Sequence, residues 1–204
     1  MTKSHFKIKG GKMQFSKDLV LIDLETSTGD TLTADICEIG AVYCCRRSLF
    51  MLDEFSSLAK PTRDYRDPRA MAVHGVPEED LQKALELSIV LDNFESWVSK
   101  NLIVQKMQPV LKNVMLGSWG NYDISILQNQ YRLINKEYPF HYRTLDLKSI
   151  LYWEFAKMEK GISRKSGLQS VSKTLELPFL GIHHRALDDI KQSLRILQCL
   201  ALRK

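Results

Sequence analysis

Leu19-Val-Leu-Ile-Asp-Leu-Glu25 is an apolar, largely branched run of strand length, interrupted near its end by two acids. Asp23 and Glu25 stand two residues apart, so on a strand both point to one face of the sheet, near its carboxyl end. Acids in a central strand need a reason, and a strand end whose side chains reach water is the plain one. Outward from this run, residues 36–46 and 49–58 have strand-like content, so three strands open the domain. Pro77-Glu-Glu-Asp80 starts a helix, with proline in the first turn and acids beside the positive end, and 90–104 repeats apolar residues at helical spacing. Beyond these, 110–116 reads as a strand, 121–133 as a helix, 142–145 as a short strand and 146–157 as a helix capped near Thr144 or Asp146. Ala186, Leu187, Ile190, Leu194, Leu197, Leu200 and Ala201 describe a last amphipathic helix ending near Lys204. The order predicts an α/β domain with a mixed five-stranded sheet and helices packed on its faces.

The composition agrees with one such domain. A chain of 204 residues buries roughly 70% of the surface that its unfolded form exposes. Its 44% hydrophobic and 26% charged residues exclude a disordered, collagenous or disulfide-scaffold chain. No period repeats and no Pro/Gly/Ser-rich linker divides it, so residues 1–16 read as a basic lead-in carrying Lys3, Lys7, Lys9 and Lys12, and 17–204 as the domain. Cys37, Cys44, Cys45 and Cys199 have neither zinc-ribbon nor secreted-framework spacing, which predicts a reduced, cytoplasmic compartment. Apolar runs fall far short of the roughly 20 residues that cross a bilayer. The start MTKSHFKIKGGK lacks an apolar signal core, so neither membrane nor secretion is expected. The net charge of +5 biases the chain only mildly toward polyanionic partners.

Two further segments resemble Asp23-Leu-Glu25 in placing polar groups at element boundaries. Gly117-Ser-Trp-Gly-Asn-Tyr-Asp123 puts Asp123 in the first turn of a helix, and His183-His184-Arg-Ala-Leu-Asp188-Asp189 lies where a loop enters the last helix. Each alone has an ordinary explanation in helix-start acids and surface histidines. Together they offer four carboxylates and a histidine at strand ends and helix starts, where α/β sheets gather their sites. Two carboxylates about 4 Å apart repel by about 4 kcal/mol at an effective dielectric near 20, so such a cluster calls for cations. Hard oxygen donors suit Mg²⁺ or Mn²⁺ better than zinc, which leaves the histidine for proton transfer.

Asp23-Leu-Glu25, then Glu38-Ile-Gly-Ala-Val, His74-Gly-Val76, Trp119-Gly-x-x-Asp123 and His184-x-x-x-x-Asp189, in this order, resemble the DEDDh (DnaQ-like) 3′-to-5′ exonucleases. The resemblance spans 19 to about 200 and implies a ribonuclease H-like fold. It also implies a site in which Asp23, Glu25 and Asp189 hold one Mg²⁺ or Mn²⁺, Asp23 shares a second, and Asp123 supports that second ion. His184 would be the general base, chosen over His183, as Asp189 is over Asp188, by the family's five-residue spacing. Glu25-Thr26-Ser27 would meet the 3′ end of the substrate, and His74-Gly75-Val76 its terminal base or sugar. Trp119 and Tyr122 could stack on bases or serve the core. Arg164, Lys165, Lys173 and Arg185 could meet phosphates or simply face solvent.

Within the family, Trp119-Gly-x-x-Asp123, Gly167-Leu-Gln and Gly181-Ile-His-His-Arg-Ala-Leu-Asp-Asp189 look most like Eri-type exoribonucleases and KapD proteins. Asp23-Leu-Glu-Thr26 and His74-Gly-Val76 look instead like proofreading and repair DNA exonucleases. The expectation is therefore a nuclease releasing 5′-mononucleotides from single-stranded or 3′-overhanging RNA. A DNA 3′ exonuclease, and an inactive nucleic-acid-binding module on the same fold, are the alternatives.

Overall fold

The computed structural model describes residues 15–157 and 166–202, so most of the basic lead-in, Arg164, Lys165 and the last two residues lie outside it. β1 (Asp18–Thr26), β2 (Ile36–Cys44) and β3 (Met51–Lys60) form an antiparallel meander. α1 (Pro68–His74), α2 (Glu78–Lys83), the two-residue β4 (Leu85–Glu86) and the long α3 (Leu87–Val104) follow. Then come β5 (Val114–Ser118), α4 (Tyr122–Leu133), β6 (Leu145–Asp146), α5 (Leu147–Lys157), α6 (Leu168–Thr174) and α7 (Ala186–Leu202). The sheet runs β4-β3-β2-β1-β5-β6, with β5 parallel to β1 and β6 parallel to β5.

All five expected strands are present, and β4 adds a sixth by pairing with Ala59 and Lys60 at the end of β3. The boundaries move where local geometry overrides composition. β3 begins two residues late because Leu49 takes φ 57° in the turn after β2. The start of the expected strand at 110–116 is spent on a 3₁₀ turn at Leu111–Asn113. Asp146 takes the cap of α5, accepting the Lys148 N–H at 2.9 Å and the Ser149 hydroxyl at 2.6 Å. Among the described residues, no helix is long and apolar enough to cross a membrane.

β1 is covered on both sides. Its even residues Val20, Ile22 and Leu24 join Val90, Leu91, Phe94, Ile126, Leu127 and Tyr131 in the main core. Its odd residues Leu19 and Leu21 pack with Leu147, Ile190, Leu194 and Leu197 in a second layer under α7. Strand alternation then carries Asp23 and Glu25 onto the α7 side.

Candidate active site

Three distant parts of the chain meet at the carboxyl end of β1. β1 brings Asp23 and Glu25, just where a bulge between Glu25 and Thr26 breaks its register with β2. α4 brings Asp123 in its first turn, buried to 7% exposure. α7 brings Asp189, also in its first turn. Gly40 permits that approach: it pairs with Asp23 across the β1–β2 ladder, and a Cβ there would collide with the Ala186 carbonyl carbon and the Leu187 nitrogen. Helix and strand thus touch backbone to backbone.

Ligand atoms of Glu25, His184 and Asp189 all lie within 4.8 Å of one another, and His184 Nδ1 stands 4.0 Å from Asp189 Oδ2. Asp23 and Asp123 stand beside this triad rather than in it. The carboxyl of Asp23 is driven well above its ordinary value, first by burial and then by the charges of Asp123, Glu25, Asp189 and Glu38. Burial, followed by Asp189, Glu38 and Asp123, pushes Glu25 up to about 9, with Arg185 pulling the other way. Asp123 rises to about 7 through burial, against hydrogen bonds from its own and the Leu24 N–H and the nearby Lys148 ammonium. Asp189 is raised by burial, opposed by His184. Its Oδ1 is buried with no hydrogen-bond partner among the described residues. Crowded carboxylate oxygens, one of them orphaned, are a donor set that fits a hard divalent cation.

The two adjacent acids of α7 do different things. Asp188 Oδ2 accepts the Ile182 N–H at 2.8 Å, and its carboxylate lies where a side chain on Gly181, at φ 103°, would have to go. Asp188 therefore shapes the loop, while Asp189 faces the other acids. The histidines divide similarly: the His183 ring packs on Phe179 with centroids 3.7 Å apart, and His184, 46% exposed, faces Asp189. A cleft of about 450 Å³ opens here, lined by Gly167, Leu168, Gln169, Ser170, both histidines and Asp189.

Among the expected substrate contacts, Thr26 and Ser27 are buried at the end of β1. Their hydroxyls are locally engaged, Thr26 Oγ1 donating to the Thr28 carbonyl at 2.9 Å and Ser27 Oγ accepting the Asp35 N–H at 3.0 Å. Tyr122 is partly exposed and donates to the Thr28 carbonyl at 3.1 Å, tying α4 to the same bend. Val76 packs with Cys37 and Leu81. His74 is buried, Nδ1 accepting the Val76 N–H at 3.0 Å. Its Nε2 has no partner among the described residues. Trp119 is part of the packing between α5, α6 and α7, and its Nε1 donates to the Ser166 carbonyl at 3.2 Å. Of the basic residues offered to phosphates, Lys173 is exposed and Arg185 is not free, because its guanidinium is committed to Glu38. The sequence reading missed that pair and missed Lys148. The signal for the first was an acid inside the apolar run Ile36-Cys-Glu-Ile-Gly-Ala-Val42.

A family model described as RNase_T exonuclease matches residues 20–197. Among solved structures, the cell-death related nuclease CRN-4 is similar with a TM-score of 0.75 and 21% identity, covering 89% of this chain and 62% of that one. The nuclease domain of 3′hExo, a DEDDh family member bound to rAMP, gives 0.72 and 19%, covering 90% and 91%. E. coli exonuclease I with a dT13 oligonucleotide gives 0.73 and 14%, covering 92% and 41%. The chain thus spans less than two thirds of CRN-4 and less than half of exonuclease I. No curated protein sequence matches it significantly.

Proposed function

This chain belongs to the RNase_T exonuclease family, as a DEDDh 3′-to-5′ exonuclease, and from that premise we propose that it trims single-stranded or 3′-overhanging RNA to 5′-mononucleotides. The observation that carries the reading is the meeting of Glu25, His184 and Asp189 within 4.8 Å, beside Asp23 and Asp123. Asp23, Glu25 and Asp189, with Asp123 beside them, would hold two Mg²⁺ or Mn²⁺ ions. Such ions, when bound, offset the charge of the acids and of the phosphate and acidify water. His184 takes the proton of the attacking water, whose oxygen bonds to phosphorus as the penultimate nucleotide's 3′-oxygen leaves. The exposed side of His184 and the adjoining cleft leave room for the 3′-terminal nucleotide, with Tyr122 the expected contact exposed enough to meet it.

The RNA reading is supported by the resemblance to Eri-type enzymes around Trp119-Gly-x-x-Asp123 and 181–189. A similar structure is described as a 3′-exonuclease that recognises a histone mRNA stem-loop, at 18% identity. His74-Gly-Val76 and the likeness to exonuclease I favour DNA as the second reading. A time course on matched 5′-labelled RNA and DNA oligomers, single-stranded and duplexed, with Mg²⁺ or Mn²⁺, tests both. A faster ladder on single-stranded RNA is expected. Faster DNA degradation would replace the first reading by the second, and no ladder on any substrate would leave a binding module.

A further inference from the structure

Glu38 has no part in that reading, yet it is 1% exposed and stands directly opposite Glu25 across the β1–β2 ladder. A further carboxylate buried beside Glu25 is unfavourable unless a cation answers it. Arg185 does so through a two-pronged contact, Nε donating to Oε2 and Nη2 to Oε1, each at 3.0 Å. A fork of this kind fixes the orientation of the guanidinium as well as its charge. Ser56 Oγ adds a long contact to Oε1 at 3.4 Å.

Arg185 adds a side-chain link between β2 and the start of α7 to the backbone contact at Gly40. Its side chain is pinned to β2, and its carbonyl accepts the Asp189 N–H at 3.0 Å, opening the bonding of α7. Its amide follows His184, which holds φ 60°. A histidine keeps that left-handed backbone only where its surroundings enforce it. α7 itself does not depend on the fork, because Ala186 and Leu187 already press on Gly40 and the apolar face of α7 fills the second core layer. The Arg185 side chain is 41% exposed, so shortening it opens no large cavity.

We propose that Arg185 and Glu38 form a positioning pair, whose fork holds His184 in register with Glu25 and Asp189 without touching the substrate. The proposal rests on His184 being the base.

The test combines single-turnover kinetics on a 5′-labelled oligomer with Mn²⁺ titration calorimetry in the absence of substrate. Arg185→Met should lower kcat by roughly 10²-fold, the usual effect of a misplacement near 1 Å. KM should stay within about threefold, since no substrate contact is lost, and Mn²⁺ affinity should fall far less than kcat, because Arg185 acts on Glu25 only through its charge. Arg185→Lys, which keeps the charge and loses the fork, should recover little. The double variant Arg185→Met/Glu38→Gln removes both charges, so it folds even if an unpaired Glu38 is poorly tolerated, and its kcat should be no lower than that of Arg185→Met. In a His184→Ala background, Arg185→Met should cost less than about twofold. A kcat near the wild-type value for the double variant, full recovery by Arg185→Lys, a parallel fall in Mn²⁺ affinity, or an undiminished effect in the His184→Ala background would each overturn the proposal alone. His184→Ala turning over as fast as the wild type would overturn the base assignment and this proposal with it.

Discussion

Replacing Glu25 by glutamine should stabilise the metal-free protein while abolishing its activity, and the stabilisation should depend on pH in a defined direction. The folded carboxyl binds its proton more tightly than the unfolded one, with a value of about 9 against the ordinary 4.5. Between those values the folded state holds more protons than the unfolded state, so wild-type stability falls as pH rises through this window. At about pH 8 the ceiling on this loss is about 5 kcal/mol, at about 1.4 kcal/mol per pH unit above the ordinary value. The carboxyls of neighbouring Asp23 and Asp189 are raised as well, so the acids do not act independently and about 2–4 kcal/mol is expected from Glu25→Gln. For a domain of this size that corresponds to a rise in Tm of roughly 5–15 °C. The assay is thermal and urea unfolding of both proteins in EDTA at about pH 5 and about pH 8, repeated with saturating Mg²⁺. Near pH 5 the gap should shrink below about 1 kcal/mol. Mg²⁺ should close it near pH 8 by stabilising the wild type alone. A variant no more stable than the wild type near pH 8, or a gap that ignores pH, would refute the view that these carboxylates are held together against their repulsion.

His184→Ala should reduce turnover by roughly 10² to 10⁴ with Mn²⁺ affinity largely kept; His183→Ala, whose ring packs on Phe179, should lose far less, and the reverse order in steady-state rates would move the base to His183. Gly40→Ala forces α7 away from β2 and should destabilise by about 1–3 kcal/mol while lowering kcat, because Asp189 moves with the helix; wild-type melting and kinetics would show that the contact is slack. Binding of Asp23→Ala to a single-stranded oligomer, titrated against KCl, should follow a shallow slope of about −0.7 in log affinity for each phosphate neutralised, and a flat line would exclude an ionic groove.

Certain parts of this architecture are legible in the sequence because their physics is local. β1 and β2 lie inside a sheet covered on both faces, so they read as unbroken apolar runs. The apolar spacing of α7 follows directly from its one-sided packing. α1 escaped although Asp67, Pro68 and Gly75 mark its ends, because seven residues are too few for a periodic pattern. α6 is as short, and Gly167 gives it no side-chain cap. In the site, the acids stand out as polar groups at strand ends and helix starts. The Glu38–Arg185 pair joins residues 147 positions apart, a relation that spacing does not record. Neighbouring Asp188 and Asp189 are told apart in the sequence only by the five-residue spacing of the resemblance, not by any local physics. Their physical roles separate when Gly181 turns the loop back and Asp188 accepts the Ile182 N–H.

The backbone contact at Gly40 also bears on the order in which the parts of the site come together. Asp23, Glu25 and Asp123 lie on β1 and α4, well ahead of α7 along the chain. His184 and Asp189 come with α7, the last element among the described residues, whose partners on β1 and β2 lie about 150 positions upstream. Closing a loop of that length is among the slowest kinds of contact to form. With His184 as the base, assembly of the site should therefore be a non-local step of folding, in which α7 docks on β1 and β2.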